Sequence, residues 1–374
     1  MTGLDRPLRV FFSVGNMFHI VPCRYNSETN RFEANSRQNL LAFAINLTLC
    51  GSLVCYDWLR MSEGKLTLQS PTSNIIIMIY LVTFPPSMVY MQLQTYANRK
   101  RITALFNVLF LDECWWSFVR PDNRLGLFAC AFLVGVMVCL GGLVTSLSRL
   151  NLLLDAIVDM AWFYVAAFMT VVYVVCVLML RIRLVQLQDA VRRNPLAVRS
   201  RWIVLLDQCR CSVRLVEEIN RNFSGIMLTI IIQMQLELSN QYFTLYCYVQ
   251  HGITLNEALW VTQCWASQFL VMLLAVGFSC ERCHNQLDET IVAIRNSFDW
   301  KEDDDDDDHE NKPVLMPRSL MKHMDKFLLD NLEQKMRFNA CGFFDMDSKL
   351  ICMVLISIVT YLLVLIQFHQ REIK

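Results

Sequence analysis

Seven separate runs of predominantly apolar sequence, each near the thickness of a lipid hydrocarbon core, constrain this chain more than any other feature. A helix needs about 20 consecutive apolar residues to cross that core. The runs cover residues 39–59, 74–95, 125–148, 152–180, 224–248, 258–280 and 349–368. None shows the period-two alternation of a membrane barrel strand. Hydrocarbon also leaves a backbone no water to bond, so each run is expected to be a helix. Composition agrees, with 55% of residues apolar and 18% charged, where a soluble domain carries about 25% charge. A formal net charge of zero removes nucleic acid as a partner, because that surface must be basic. With 12 Gly and 9 Pro the chain is neither fibrous nor broadly disordered. The expected fold class is an all-α membrane protein of seven transmembrane helices.

Zero net charge conceals a strong asymmetry. Of the 34 Lys and Arg, 29 fall in the N-terminus and in the second-to-third, fourth-to-fifth and sixth-to-seventh connections. The alternate connections hold Arg60, Lys65, Arg149, Arg371 and Lys374. Cytoplasmic segments are enriched in basic residues, so the N-terminus is expected inside and the C-terminus outside. That is the reverse of a G-protein-coupled receptor. The third and fourth spans are joined by Arg149, Leu150 and Asn151 alone, which makes them an antiparallel pair. The chain then divides into a cytoplasmic N-terminus (1–38) with no signal-peptide core, a bundle of six spans (39–280), a cytoplasmic loop (281–318), an amphipathic cytoplasmic segment (319–346), the seventh span (347–370) and a short extracellular tail (371–374).

Fifteen Cys are scattered, and those in loops lie on the expected cytoplasmic, reducing side, so no disulfide framework is expected. Cys280 and Cys283 form a lone C-x-x-C without the second pair that zinc requires, and are read as unlinked thiols. The sequons at Asn46 and Asn222 fall inside a span and on the cytoplasmic side, so neither is expected to carry glycan. Asp303 to Asp308 is an unbroken acidic run that lacks the spaced ligands and central Gly of a calcium loop. It reads as a solvated insert. Beyond Pro317, Leu320, Met324, Phe327, Leu328 and Leu332 recur at helical spacing. That stripe packs either on its own chain or against another subunit. The stretch with Ile203, Leu206, Val213, Val216 and Ile219 is expected to extend the flanking spans into the cytoplasm.

Polar residues inside the spans are the candidates for function, because an ionisable group in hydrocarbon is costly. Asp155, Asp159 and Trp162 share one face of the fourth span at offsets of four and seven. Gln233, Glu237, Asn240, Gln241 and Thr244 stripe the fifth, and Trp260, Gln263 and Ser267 the sixth. Given the orientation, all three stripes fall mostly in the outer half of the bundle. Converging acids, amides and indoles make an aromatic-lined pocket for a small molecule. The competing reading is that these groups glue helices together, at about 1 kcal/mol each. A protease pair of Asp155 and Asp159 lacks any partner motif, so no enzyme, cofactor or metal is expected. Pro85-Pro86 interrupts the second span, opening room for a ligand or shaping packing.

In the last span Ile356, Thr360, Val364 and Gln367 share a face. Around a symmetry axis, several copies would form a Gln367 constriction and an Ile356/Val364 hydrophobic gate. Alternatively, Thr360 and Gln367 bond a neighbouring helix. The segment Thr360-Tyr361-Leu362-Leu363-Val364-Leu365-Ile366-Gln367-Phe368 resembles the hallmark of the insect gustatory receptor family, Thr-Tyr, five mostly apolar residues, then Gln-Phe. Arg337-Phe338-Asn339-Ala340-Cys341-Gly342-Phe343-Phe344 is similar to that family's stretch before the seventh span.

The resemblance implies a homo- or heterotetrameric, ligand-gated, non-selective cation channel in the plasma membrane of chemosensory neurons, opened by a small-molecule tastant. It implies that the cytoplasmic helix before the seventh span holds subunits together. It also implies a pore lined by the seventh helices, with Gln367 and Phe368 near the outer gate. Sugar-receptor members tend to carry Glu after the Tyr, and this chain has Leu362. That departure favours a bitter or deterrent ligand, and Asp155, Asp159 and Glu237 suit a basic one. The competing class is a seven-span receptor signalling through G proteins. Against it stand the inverted charge bias and the lack of an Asn-Pro-x-x-Tyr pattern. A transporter would show an internal repeat, and none is seen.

Overall fold

The fourth, fifth and sixth apolar runs become helices that extend well beyond a bilayer. A computed structural model describes residues 6–17, 20–34, 71–111, 153–193, 199–250, 255–299 and 337–373, with Leu4 and isolated positions within 40–59 and 129–135. Its elements are α1 (Arg6–Met17), β1 (Arg24–Asn26), β2 (Arg31–Glu33), α2 (Pro71–Ala97), α3 (Arg99–Leu111), α4 (Leu153–Arg193), α5 (Arg199–Gln250), α6 (Leu255–Asp299) and α7 (Ser348–Ile373). α4, α5 and α6 have 41, 52 and 45 residues. At 1.5 Å per residue, α5 is about 78 Å long against a hydrocarbon core of about 30 Å. The fourth, fifth and sixth runs are therefore portions of longer rods, and α5 carries Val213, Val216 and Ile219 unbroken into its span. The first and third runs lie largely outside the described residues, and the described positions within them are helical.

Among the described residues, three helical segments are long and apolar enough to cross a membrane: Phe163–Arg192, Ala266–Ala293 and Ser348–Arg371. Their surroundings differ. In its most apolar window α4 is 83% buried, whereas α7 is only 28% buried. α4 is thus the hub of the bundle, with α5 and α6 packed on it, and α7 stands at the periphery on α5 and α6. In α2, Pro85 and Pro86 leave two carbonyls without intrahelical donors. Next to these positions Ser87 Oγ donates to the Phe84 carbonyl at 2.6 Å, and Gln233 Nε2 of α5 donates to the Thr83 carbonyl at 2.9 Å.

The fold departs from all-helical at the N-terminus. β1 and β2 form an antiparallel hairpin with Tyr25 opposite Phe32, and Asn30 takes a φ of 50° at its turn. Three-residue strands carry too little alternation to register in a hydropathy pattern. What holds them is an amide on α3. Asn107 Oδ1 accepts the Phe32 N–H at 2.7 Å and Asn107 Nδ2 donates to the Phe32 carbonyl at 2.9 Å. The Asn107 side chain thus stands in for a third strand. Beneath it Phe12, Phe32, Phe106 and Phe110 meet at centroid distances of 5.1–6.2 Å. Phe11 stacks on Phe168 of α4 at 4.7 Å, which anchors α1 to the hub. Arg183 of α4 donates Nη2 to the Val108 and Leu109 carbonyls and so caps α3.

Two predictions follow from this N-terminal module. A Cβ on Gly15 would sit 2.5 Å from the buried Phe168 ring, and Asn107→Ala would strip both bonds from Phe32. Gly15→Ala and Asn107→Ala are each expected to cost about 1–3 kcal/mol, read as a lower thermal-inactivation midpoint of detergent-solubilised protein. Burial also pushes the Cys23 thiol up to about 12, against a smaller opposing effect of the Thr103 hydroxyl, and the Cys209 thiol up to about 11. Both stay protonated near neutral pH, so iodoacetamide is expected to label exposed Cys341 and spare Cys23 and Cys209. Peptide mass mapping checks this. The folded state holds the Cys23 proton more tightly than the unfolded chain. That contribution to stability is intact below about pH 9 and declines as pH rises toward about 12.

Candidate functional site

The fifth-span stripe resolves into groups with different duties. Gln233 is spent on the α2 backbone, as described above. Gln235 Nε2 donates to Ser357 Oγ and so ties α5 to α7. Glu237 is 8% exposed, and its Oε1 accepts from Gln241 Nε2 one turn along at 2.7 Å. Its Oε2 is buried and has no hydrogen-bond partner among the described residues. An unsatisfied carboxylate oxygen inside a helix bundle is a strained arrangement that a hydrogen-bond donor would relieve. Asn240 and Thr244 are half-buried beside it on the same helix.

A second such group was not singled out by the sequence. Gln268 of α6 is buried, and both its Nε2 and its Oε1 are unpartnered among the described residues. Glu237 and Gln268 are each thirteen residues from the junction of α5 and α6, so along these consecutive helices they lie at one depth, about 20 Å from that junction. No stripe marked it: Gln268 is buried, whereas the striped residues Gln263 and Ser267 are exposed on another face of α6. Asp155, Asp159 and Trp162 lie on α4 and Trp260 on α6, and their side chains lie outside the described residues.

On α7 the motif residues separate. Leu350, Ile351, Val354, Ile358, Leu365 and His369 form its buried face. Ile356, Thr360, Val364, Gln367 and Phe368 are exposed, Ile356 by 66%. Thr360 Oγ1 donates to the Ile356 carbonyl of its own helix at 2.9 Å, so this hydroxyl is satisfied without a neighbour. Tyr361 is half-buried against the cluster of Phe243, Cys247 and Leu365. His369, missed in the sequence, packs edge-on between Phe243 and Tyr246 at 5.7 and 6.2 Å. Tyr246 Oη in turn accepts from Gln250 at 2.7 Å and Gln370 at 3.4 Å. The acidic run 303–308 and the stripe from Leu320 to Leu332 lie outside the described residues.

The bundle thus combines three helical segments long and apolar enough to cross a membrane, among the described residues, with a last helix that has one face uncovered, as in a multi-span membrane protein. The sequence profile of the 7tm chemosensory receptor family matches residues 8–372. The chain belongs to that family, whose members are receptors and not enzymes. It is 41% identical over 49 residues to gustatory receptor 68a of Drosophila melanogaster, a match covering 13% of each chain. It is also 41% identical over 49 residues to gustatory and pheromone receptor 32a of the same fly, covering 13% of this chain and 11% of that one. The match thus spans about an eighth of those relatives or less. The fold is similar to that of olfactory receptor OR5 from the insect Machilis hrabei, solved with eugenol, with a TM-score of 0.69 and 12% identity over 97% of this chain and 100% of that one. Against OR5 solved without that ligand the TM-score is 0.66.

Gln241 is the one described partner of the Glu237 carboxyl. Gln241→Leu is therefore expected to destabilise the solubilised receptor by about 1–3 kcal/mol, and Glu237→Gln combined with it by less than Gln241→Leu alone. Thermal-inactivation midpoints of the single and double variants measure the difference.

Proposed function

We propose that the chain is a subunit of a ligand-gated, non-selective cation channel that senses contact chemicals, with the N-terminus cytoplasmic, in the plasma membrane of chemosensory neurons. The observation that carries this reading is the uncovered face of α7, running from Ile356 through Thr360 and Val364 to Gln367 and Phe368. In a homo- or heterotetramer, four such faces meet around one axis. Gln367 then supplies a ring of amides, and Ile356 and Val364 a constriction that closes by dewetting. The amphipathic stripe from Leu320 to Leu332 holds the subunits together on the cytoplasmic side.

The small-molecule site lies in the outer half of the bundle, drawn from Asp155, Asp159, Trp162, Glu237, Asn240, Gln241, Thr244, Trp260 and Gln263. Glu237, with one buried oxygen unpartnered, supports a ligand that carries a protonated amine. Leu362 in the position after Tyr361 supports a bitter or deterrent compound over a sugar. Voltage clamp of the chain, alone and with related subunits, under quinine and denatonium tests both parts. Ligand-evoked current is expected to persist when G-protein signalling is blocked. Gln367→Ala and Phe368→Ala are expected to change conductance or gating, and currents indifferent to both remove the pore assignment. Glu237→Gln is expected to raise the half-activating quinine concentration about tenfold at equal surface expression, the loss of one charge-assisted hydrogen bond.

A further inference from the structure

The segment that leads into α7 forms a small hairpin clamped to the rest of the bundle. Within it Met346 N donates to the Phe338 carbonyl at 2.8 Å and Ala340 N to the Phe344 carbonyl at 3.0 Å. Asn339 bridges Asp345, and Arg337 pairs with Asp345 at 3.0 Å. The tip turns through Cys341 and Gly342 at φ of 53° and 77°, and Gly342 N donates to Asn339 Oδ1 at 3.0 Å. Only Gly takes such a φ freely, so the Cys341 conformation depends on the bonds around it.

Three helices of the bundle hold this hairpin. From α5, Asn220 grips its backbone from both sides: Nδ2 donates to the Arg337 carbonyl at 2.7 Å and Oδ1 accepts the Asn339 N–H at 3.3 Å. Also from α5, Ser224 Oγ lies 3.6 Å from Cys341 Sγ. From α4, Tyr173 receives the buried Phe338 ring edge-on at 6.3 Å. From α6, Cys280 Sγ meets Tyr173 Oη at 3.2 Å. Gly277 of α6 approaches so closely that a Cβ there would stand 3.1 Å from the Asp347 carbonyl and from Ile351. Asp347 then caps α7, its Oδ1 accepting the N–H groups of Lys349 and Leu350 at 2.9 and 3.3 Å. The segment from the hairpin into the first turn of α7 is thus fixed to α4, α5 and α6 together, while the far face of α7 is uncovered.

We infer that this hairpin is the coupling joint of the channel, with Asn220 and Phe338 as positioning residues that transmit a shift in α4–α6 to the start of α7. The inference rests on the channel reading above. Ligand binding to the bundle alters α7 only through groups that touch both, and among those the hairpin joins three bundle helices to the first turn of α7. Neither residue lines the ligand stripe or the uncovered face, so their substitution leaves both intact.

Ser224→Cys tests the joint while leaving the Asn220 and Phe338 clamps in place, because it faces the native Cys341. Oxidation of the pair by copper–phenanthroline on the cytoplasmic face of an excised patch is expected to lower quinine-evoked current severalfold. Reduction by dithiothreitol is expected to restore it, and the Ser224→Cys, Cys341→Ser control to stay indifferent. A disulfide shown by mass mapping that leaves the current unchanged overturns the inference. Should the pair not close, Asn220→Ala decides: the half-activating concentration is expected to shift by about fivefold or more at unchanged surface expression, and no shift overturns the inference. Wild-type current is the baseline for both. A silent wild type, alone and with related subunits, strikes the channel reading and this inference with it, whereas a change confined to the variants bears on the hairpin.

Discussion

In hydrocarbon no water competes for a polar group, so every amide, hydroxyl and carbonyl in these helices must find its partner within the chain or go without. The architecture follows from that constraint. Helices satisfy their own backbones, and where prolines interrupt one, Gln233 reaches across from α5. Gln235 joins α5 to α7, and Gln286 Nε2 of α6 donates a hydrogen bond to Gln188 Oε1 of α4 at 2.8 Å. Against this background of paired amides, Glu237 and Gln268, like Gln94, Asn222 and His369, retain buried atoms without partners among the described residues. The same constraint that builds the bundle therefore marks where something else fits.

Side-chain amides recur as substitutes for backbone. Asn107 holds β2 by both its N–H and its carbonyl, and Asn220 holds the hairpin before α7 by one of each. Both clamps place a carboxamide where an adjacent strand would lie, and both fasten an irregular segment to a long helix. Irregular backbone beside a membrane bundle is tolerable only when such groups complete its bonding.

The fourth, sixth and seventh runs, which are helices long and apolar enough to cross a membrane, were legible because hydrophobic length is a summed property, and a run of 20 or more apolar residues overrides local propensity. The hallmark of α7 was legible for a different reason, since four fixed residues at fixed spacing carry information that packing alone does not. Stretches between the runs were harder to read. The β-hairpin depends on Asn107, 75 residues from its partner Phe32, and the grip on Arg337 depends on Asn220, 117 residues away. No local pattern encodes either pairing. Helical stripes also identified polar residues without ranking them: the fifth-span stripe contains a helix tie in Gln233 and an unsatisfied acid in Glu237. Gln268 and His369 escaped because an isolated polar residue in an apolar run looks the same whether it is paired or not.

The length of α5 has a mechanical consequence. A helix of 52 residues is more than twice as long as the hydrocarbon core is thick. Held by its neighbours near the middle, such a rod moves its two ends in opposite directions when it tilts. A displacement of a fraction of an ångström at one end becomes a comparable swing at the other, with no change in helix geometry. The surplus helix thus gives the protein a built-in seesaw across the membrane.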